Sequence, residues 1–125
     1  MVEGLLDTVD HHRYLLQAML DARATNAAIR RVWDDARESF VPAVAAMIAA
    51  ERDSGRAPDG PPTEVLAGML LEFNDRLLER YTIGGALTRE QLREGAEAVW
   101  LRTIYGTVDA ARLGRTSAEQ TRATP

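Results

Sequence analysis

The residues best suited to bind a metal or move protons are His11 and His12, which follow Asp10. Neighbouring residues on a helix point about 100° apart, so two adjacent imidazoles cannot ligate one ion with ordinary geometry. The sequence has no third histidine and no His-x-x-x-His or Glu-x-x-His spacing. We therefore interpret the pair as a polar junction between helices, and we expect no metal site and no cofactor.

The other reactive groups form no catalytic constellation. Cysteine is absent and all 15 basic residues are arginine, which excludes a thiolate nucleophile, a Schiff-base lysine and a Walker lysine. Asp75 belongs to a group of closely spaced carboxylates, several of which have an arginine three or four residues away, as Glu72 has Arg76 and Asp34 has Arg37, a spacing typical of solvated ion pairs. We expect a protein that is not an enzyme; an enzyme acting on a hydrophobic substrate through the histidine pair is an alternative that the geometry disfavours.

Composition indicates one soluble domain. The chain has 125 residues and a formal net charge of −4, which disfavours broad contact with phosphates and predicts no DNA binding by this chain alone. It has no cationic leader and no apolar run near the ~20 residues of a membrane span. We expect a cytoplasmic protein that does not contact a membrane.

Apolar residues recur every three or four positions and nowhere alternate as in a strand, which predicts an all-α bundle of five main helices. Thr25 or Asn26 is a candidate cap for the third and longest helix, in which Pro42 predicts a kink, and Thr88 opens a capping box. Polar residues 114–125 predict a flexible C-terminal tail after a domain at 1–113. The predicted helices cover about residues 2–10, 14–20, 26–53, 62–83 and 88–106.

Two of these helices are apolar over more than one face, which favours a binding or association module. Asn74 lies on an otherwise apolar stripe of the fourth helix, and Arg37 interrupts the stripe between Trp33 and Phe40. A buried polar group without a partner costs a few kcal/mol, so we expect a ligand, water or partner group at these positions. For each large aromatic residue taken singly, an ordinary place in the core is the better explanation.

Several motifs occur together in order: Ala22-Arg23-Ala24-Thr25, Val32-Trp33, Ala49-Ala50-Glu51-Arg52-Asp53-Ser54-Gly55-Arg56-Ala57-Pro58, Asn74-Asp75-Arg76 and Trp100-Leu101-Arg102-Thr103-Ile104-Tyr105-Gly106. Over nearly all of residues 2–106, the sequence resembles the C-terminal effector domain of TetR-family transcriptional repressors. Within that family it is similar to the mycobacterial branch that controls ethionamide activation.

The resemblance implies a lipophilic small-molecule effector held in an apolar tunnel, so that residues 1–113 are a ligand-binding and dimerisation domain. Asn74 matches the asparagine that offers its amide to a ligand carbonyl. The implied tunnel residues are Leu5, Val9, Trp33, Arg37, Phe40, Val44, Leu71, Asn74 and Trp100. The resemblance also implies a homodimer through the fourth and fifth helices, for which the candidate interface residues are Leu66, Met69, Phe73, Arg76, Ala98 and Arg102.

Departures from the family's pattern leave the effector open. Arg37 replaces an apolar tunnel residue, which admits a carboxylate-bearing or more polar ligand because arginine is always charged. Phe40 and Val44 replace a larger aromatic residue and a threonine. The family's N-terminal helix-turn-helix does not match any part of the sequence, so we expect a sensing domain without its DNA-binding head. The alternative is an interaction module that pairs with a full-length TetR-like repressor without binding a ligand.

Overall fold

The computed structural model describes residues 2–106, which form five α-helices and no strand. This confirms the all-α fold. The predicted tail at 114–125 and the C-terminal end of the predicted domain lie outside the described residues. The helices are α1 (Val2–Arg23), α2 (Ala27–Glu38), α3 (Val41–Asp53), α4 (Thr63–Ile83) and α5 (Arg89–Tyr105).

A kink at His12 divides α1 without ending it. The φ and ψ angles of His12 are −124° and 23°, outside the helical region, yet one helix runs from Val2 to Arg23. The prediction of two separate helices at 2–10 and 14–20 is therefore wrong. The polar segment between them contains no glycine or proline that would stop the helix, so the chain bends and continues.

The long third helix predicted over 26–53 is two helices, α2 and α3, joined by a turn at Ser39 and Phe40. The Ser39 hydroxyl donates to the Ala36 carbonyl at 2.6 Å, which gives the backbone a local alternative to helix. Pro42 then lies in the first turn of α3, where a missing N–H costs no helical hydrogen bond. Pro42 therefore begins a helix and does not kink one.

The tightly packed core lies between α3, α4 and α5. Ile48 of α3 and Ala67 of α4 are 0% exposed, and the small side chain of Ala67 lets the two helices approach closely. Val41, Val44, Leu66 and Phe73 pack against this core from its edges. The buried core residues are Ala45, Ile48, Ala57, Ala67, Leu70, Trp100 and Ile104.

The junction between α4 and α5 follows the sequence prediction. Gly84 ends α4 with a φ of 85°, a left-handed conformation that favours glycine. The Thr88 side chain accepts from the Gln91 N–H, and the Gln91 side chain accepts from the Thr88 N–H, which completes the capping box. Among residues 2–106, no helix is both long and apolar enough to cross a membrane.

Candidate ligand-binding site

An apolar cavity of about 380 Å³ lies between α1, α2 and α4. A concave site with mostly apolar walls and a few polar groups is typical of small-molecule binding. The lining residues are Leu5, Thr8, Leu16 and Met19 of α1, Val32, Trp33, Ala36 and Arg37 of α2, Phe40 of the turn, and Leu71, Asn74, Asp75 and Leu78 of α4.

Asn74 is the polar residue on the inner wall, and it is only 6% exposed. The indole N–H of Trp100 donates to Asn74 Oδ1 at 2.8 Å. Because an indole can only donate, this bond fixes the amide with its oxygen towards Trp100 and the core. No residue within 2–106 accepts a hydrogen bond from the Asn74 amide nitrogen, so its two N–H groups remain for another acceptor.

Asp75, the next residue on α4, gathers donors from two other helices. The indole N–H of Trp33 donates to one carboxylate oxygen. The other oxygen lies 3.1 Å from a guanidinium nitrogen of Arg37 and 3.5 Å from one of Arg23. The Arg23 guanidinium also lies over the Trp33 ring, 5.1 Å from its centroid. Asp75 thus links α1, α2 and α4 at the rim of the cavity.

Arg37 reaches the cavity already paired with carboxylates. Besides Asp75, its guanidinium lies 3.2 Å from an oxygen of Asp34 and 3.2 Å from one of Glu72. Burial disfavours the charged form, but Glu72, Asp75 and Asp34 outweigh that effect and raise the pKa of Arg37 above its ordinary value. The guanidinium is therefore an internally compensated charge, and the case for a carboxylate-bearing ligand at Arg37 is weakened.

Comparison with known proteins shows which family this domain belongs to. Residues 1–106 match the family model described as the transcriptional regulator EthR, C-terminal domain. The chain belongs to this EthR C-terminal domain family. The match confirms the resemblance to TetR-family regulators that the sequence motifs indicated.

Curated relatives carry the same name. The chain is 29% identical over 107 residues to the HTH-type transcriptional regulator EthR of Mycobacterium tuberculosis H37Rv, covering 84% of this chain and 50% of the relative. It is 31% identical over 114 residues to EthR of Mycolicibacterium smegmatis, covering 86% of this chain and 50% of the relative. The chain thus spans about half the length of the curated relatives that it matches.

The cavity of this EthR-like domain includes many of the residues that the sequence indicated. Leu5, Trp33, Arg37, Phe40, Leu71 and Asn74 line it. The remaining three do not: Val9 of α1 is 1% exposed, Trp100 belongs to the α3–α4–α5 core, and Val44 packs against the edge of that core. Trp100 still acts on the wall indirectly, through its hydrogen bond to Asn74.

The sequence analysis missed Thr8, Leu16 and Met19 on α1, and Asp75 on α4. Two short helices gave no reason to align Leu5 and Thr8 with Leu16 and Met19, whereas one helix carries all four along a single wall. Asp75 was interpreted as part of a solvated ion pair, yet its side chain is only 15% exposed. The missed signal was its place beside Asn74 on a largely apolar helix.

A second charge cluster positions the N-terminal half of α1, which carries Leu5 and Thr8. Arg89 at the start of α5 pairs with Glu3, Asp7 and Asp10. The Tyr81 hydroxyl also donates to Asp10 at 2.6 Å, and this bond is the main reason that the pKa of Asp10 lies below its ordinary value. These contacts tie the helix to the ends of α4 and α5.

The candidate dimer residues of α4 and α5 differ in exposure. Met69 is 67% exposed, and Arg76 and Arg102 are also exposed. Leu66 and Phe73 are half-buried against the core, and Ala98 is half-buried. The same two helices expose further apolar residues, namely Val65, Val99, Leu101 and Tyr105.

His11 and His12 are both exposed, and the His11 Nδ1 lies 2.8 Å from the Asp7 carbonyl oxygen. Within residues 2–106, no group of three or more histidine, aspartate or glutamate side chains could hold a metal ion. The pair thus lies on an exposed part of α1, at the kink.

Proposed function

We propose that this chain is the effector-sensing part of an EthR-like transcriptional regulator and binds a neutral lipophilic molecule in the cavity between α1, α2 and α4. The observation that carries the proposal is Asn74. Trp100 occupies its amide oxygen, so its N–H groups are left to meet an acceptor inside a largely apolar cavity of about 380 Å³. A carbonyl oxygen on an otherwise apolar ligand supplies that acceptor.

The charges at the rim support a neutral ligand. Arg37 is the cation of the cavity lining, and four carboxylates pair with it: Asp34, Glu38, Glu72 and Asp75. A ligand carboxylate would add a like charge beside these four carboxylates, and the one guanidinium nitrogen of Arg37 without a partner, Nε, is itself buried. We therefore expect amides, esters or ketones to bind in preference to fatty acids.

Three probes with one scaffold test the ligand class: heptanophenone, heptylbenzene and 4-heptylbenzoate. Calorimetric titration should show the ketone binding about tenfold more tightly than the hydrocarbon, since one hydrogen bond to a buried donor contributes about 1.4 kcal/mol. The benzoate should bind more weakly than the hydrocarbon. Equal affinity for the ketone and the hydrocarbon would show that Asn74 does not contact the ligand. If the benzoate binds most tightly, Arg37 binds the ligand carboxylate.

A paired variant separates the ligand contact from the stability of the fold. Asn74→Leu alone leaves the buried Trp100 N–H without a partner, which costs about 1–3 kcal/mol. Replacing both partners in Asn74→Leu/Trp100→Phe removes that penalty. In a folded double variant the tenfold preference for the ketone should disappear while heptylbenzene still binds.

We also propose that the exposed apolar surface of α4 and α5 associates with a second copy of the chain. Val65 and Met69 on α4 and Leu101 on α5 are more than half exposed, and apolar residues clustered on adjoining helices are typical of association surfaces. The homodimer implied by the family resemblance uses the same two helices.

Sedimentation equilibrium of three proteins tests the dimer. The wild-type chain should be a dimer, and Met69→Asp should be a monomer, because burying an unpaired charge costs several kcal/mol. Leu15→Asp is the matched control, since Leu15 is 59% exposed and belongs to α1, which is not part of the proposed interface. A monomeric wild type contradicts the dimer. A dimer that binds none of the probes contradicts sensing and favours the interaction-module alternative.

A further inference from the structure

Helix α2 differs from the other four helices in how it is attached. None of its residues is buried, whereas each of α1, α3, α4 and α5 contributes buried residues. Its apolar side lines the cavity: Val32 is 59% exposed, as is Phe40 in the turn that follows. The apolar residues of α2 therefore face an unfilled volume, and apolar burial does little to hold the helix.

Polar contacts hold α2 in place, and most of them converge on Asp75. The Trp33 indole and the Arg37 guanidinium both reach this carboxylate from α2. Glu72, one turn earlier on α4, adds a 3.2 Å contact to Arg37, but its side chain is 57% exposed and its charge is screened by solvent. Asp75 is the better-buried acceptor and the one that Trp33 and Arg37 share.

Asp75 also separates two spaces. On one side it lines the apolar cavity, and on the other it lines a polar crevice of about 420 Å³ with Arg23, Arg30, Asp34 and Glu79. The cluster of Asp75, Trp33 and Arg37 is thus a partition between a ligand-sized apolar volume and a polar surface crevice. Turns at residues 24–26 and 39–40 bound α2 at each end and are its natural hinges.

We propose that Asp75 is a positioning residue that holds α2 closed over the cavity, so that α2 is the lid through which ligand enters and leaves. The role of the lid in ligand exchange rests on the proposed function, whereas the opening of the lid is a property of the ligand-free protein. When a ligand fills the cavity, the apolar side of α2 gains the contacts that it lacks, and the lid closes more firmly.

Hydrogen exchange in the ligand-free protein tests the lid directly. Asp75→Asn keeps an acceptor for Trp33 but removes the charge that pairs with Arg37 and Arg23. Amides of residues 30–38 should then exchange about tenfold faster, while α3, α4 and α5 keep their rates. Glu79→Gln is the matched control: it removes a charge from the same face of α4, but Glu79 contacts Arg23 and Arg76 and no residue of α2. Its α2 exchange should stay within about twofold of wild type.

Two exchange results would overturn the proposal. Unchanged α2 exchange in Asp75→Asn would show that other contacts hold the helix. An equal rise in every helix would show that Asp75 serves global stability and no separate lid.

Ligand kinetics supply a second readout with the neutral fluorophore N-phenyl-1-naphthylamine. A gate changes association and dissociation in the same direction, whereas a contact residue acts mostly on dissociation. In stopped flow, Asp75→Asn should raise both rates severalfold, and Glu79→Gln should alter neither. A change in dissociation alone would make Asp75 an ordinary wall residue. Should the dye fail to bind wild type, the sensing proposal fails, and the exchange experiment still decides whether α2 opens.

Discussion

The two halves of this domain share α4 but are stabilised differently. In one half, α3, α4 and α5 enclose side chains such as Ile48 and Ala67 with no exposed surface. In the other, α1 and α2 lie across α4 around an apolar volume of about 380 Å³. Residues that line a void lack contacts on one side, so this half gains less from packing. The difference indicates where the domain obtains its stability and where it leaves an apolar volume unfilled.

Polar contacts supplement the looser packing of the half formed by α1 and α2. Asp75 joins α2 to α4, and Asp10, Tyr81 and Arg89 join α1 to the ends of α4 and α5. Such contacts depend on geometry and charge, and a small displacement breaks them. The proposed lid requires this half to change shape while the packed half stays fixed.

The largest expected effect comes from shortening one apolar side chain in each half of the domain and comparing the losses of stability. Ile48→Ala should lower the free energy of unfolding by about 3 kcal/mol, because it opens a cavity in close-packed surroundings. Leu16→Ala, on the wall of the existing cavity, should cost about 1 kcal/mol, since its side chain already lacks neighbours on one side. Urea unfolding followed by circular dichroism measures both. Equal costs would mean that the two halves are packed alike.

A smaller effect should come from filling the cavity. Ala36→Leu adds apolar volume to α2 on the side that lines it, which should raise the free energy of unfolding by about 1 kcal/mol. The same variant should weaken binding of heptylbenzene. Ala46→Leu, on an exposed position of α3, is the matched control and should do neither. Destabilisation by Ala36→Leu would show that the volume cannot accept atoms.

The smallest expected effect is on the thermal stability of the domain at low pH. Because Tyr81 and the arginines lower the pKa of Asp10, this carboxylate contributes stability above its ordinary pKa and loses it as the pH falls through the lowered value. Tyr81→Phe should therefore melt below wild type at pH 7, and the two melting temperatures should approach each other as the pH falls below the ordinary pKa of an aspartate, about 3.9. A difference that stays constant with pH would assign the Tyr81 effect to packing.

Local patterns were enough to predict the helical fold and several helix ends. Asn26 caps α2 and Thr88 forms a capping box with Gln91, as their side-chain chemistry indicates. The break at residues 39–40 was not predictable from periodicity, because the apolar stripes of α2 and α3 remain in phase across it. Pro42 could mark a kink or a helix start, and the Ser39 hydrogen bond that decides between them is a detail of the folded chain.

The residues of the candidate site were likewise only partly predictable from the sequence. Asn74 stood out because an amide on an apolar stripe is unusual at the level of sequence alone. Asp75 did not, because a carboxylate with nearby arginines looks the same on a solvated face and in a half-buried cluster. The role of Asp75 depends on its hydrogen bond from Trp33, which lies 42 residues earlier in the chain. A contact across that separation in sequence forms only when the helices pack together.

The two tryptophans give this domain a built-in pair of spectroscopic reporters. The chain has two tryptophans, and their indole N–H groups bind neighbouring side chains of α4: Trp100 binds Asn74 and Trp33 binds Asp75. Since Trp100 belongs to the core and Trp33 to α2, fluorine labels on the two rings would give one resonance for each half. Binding and lid opening can thus be followed in the unmodified sequence, with no introduced label site.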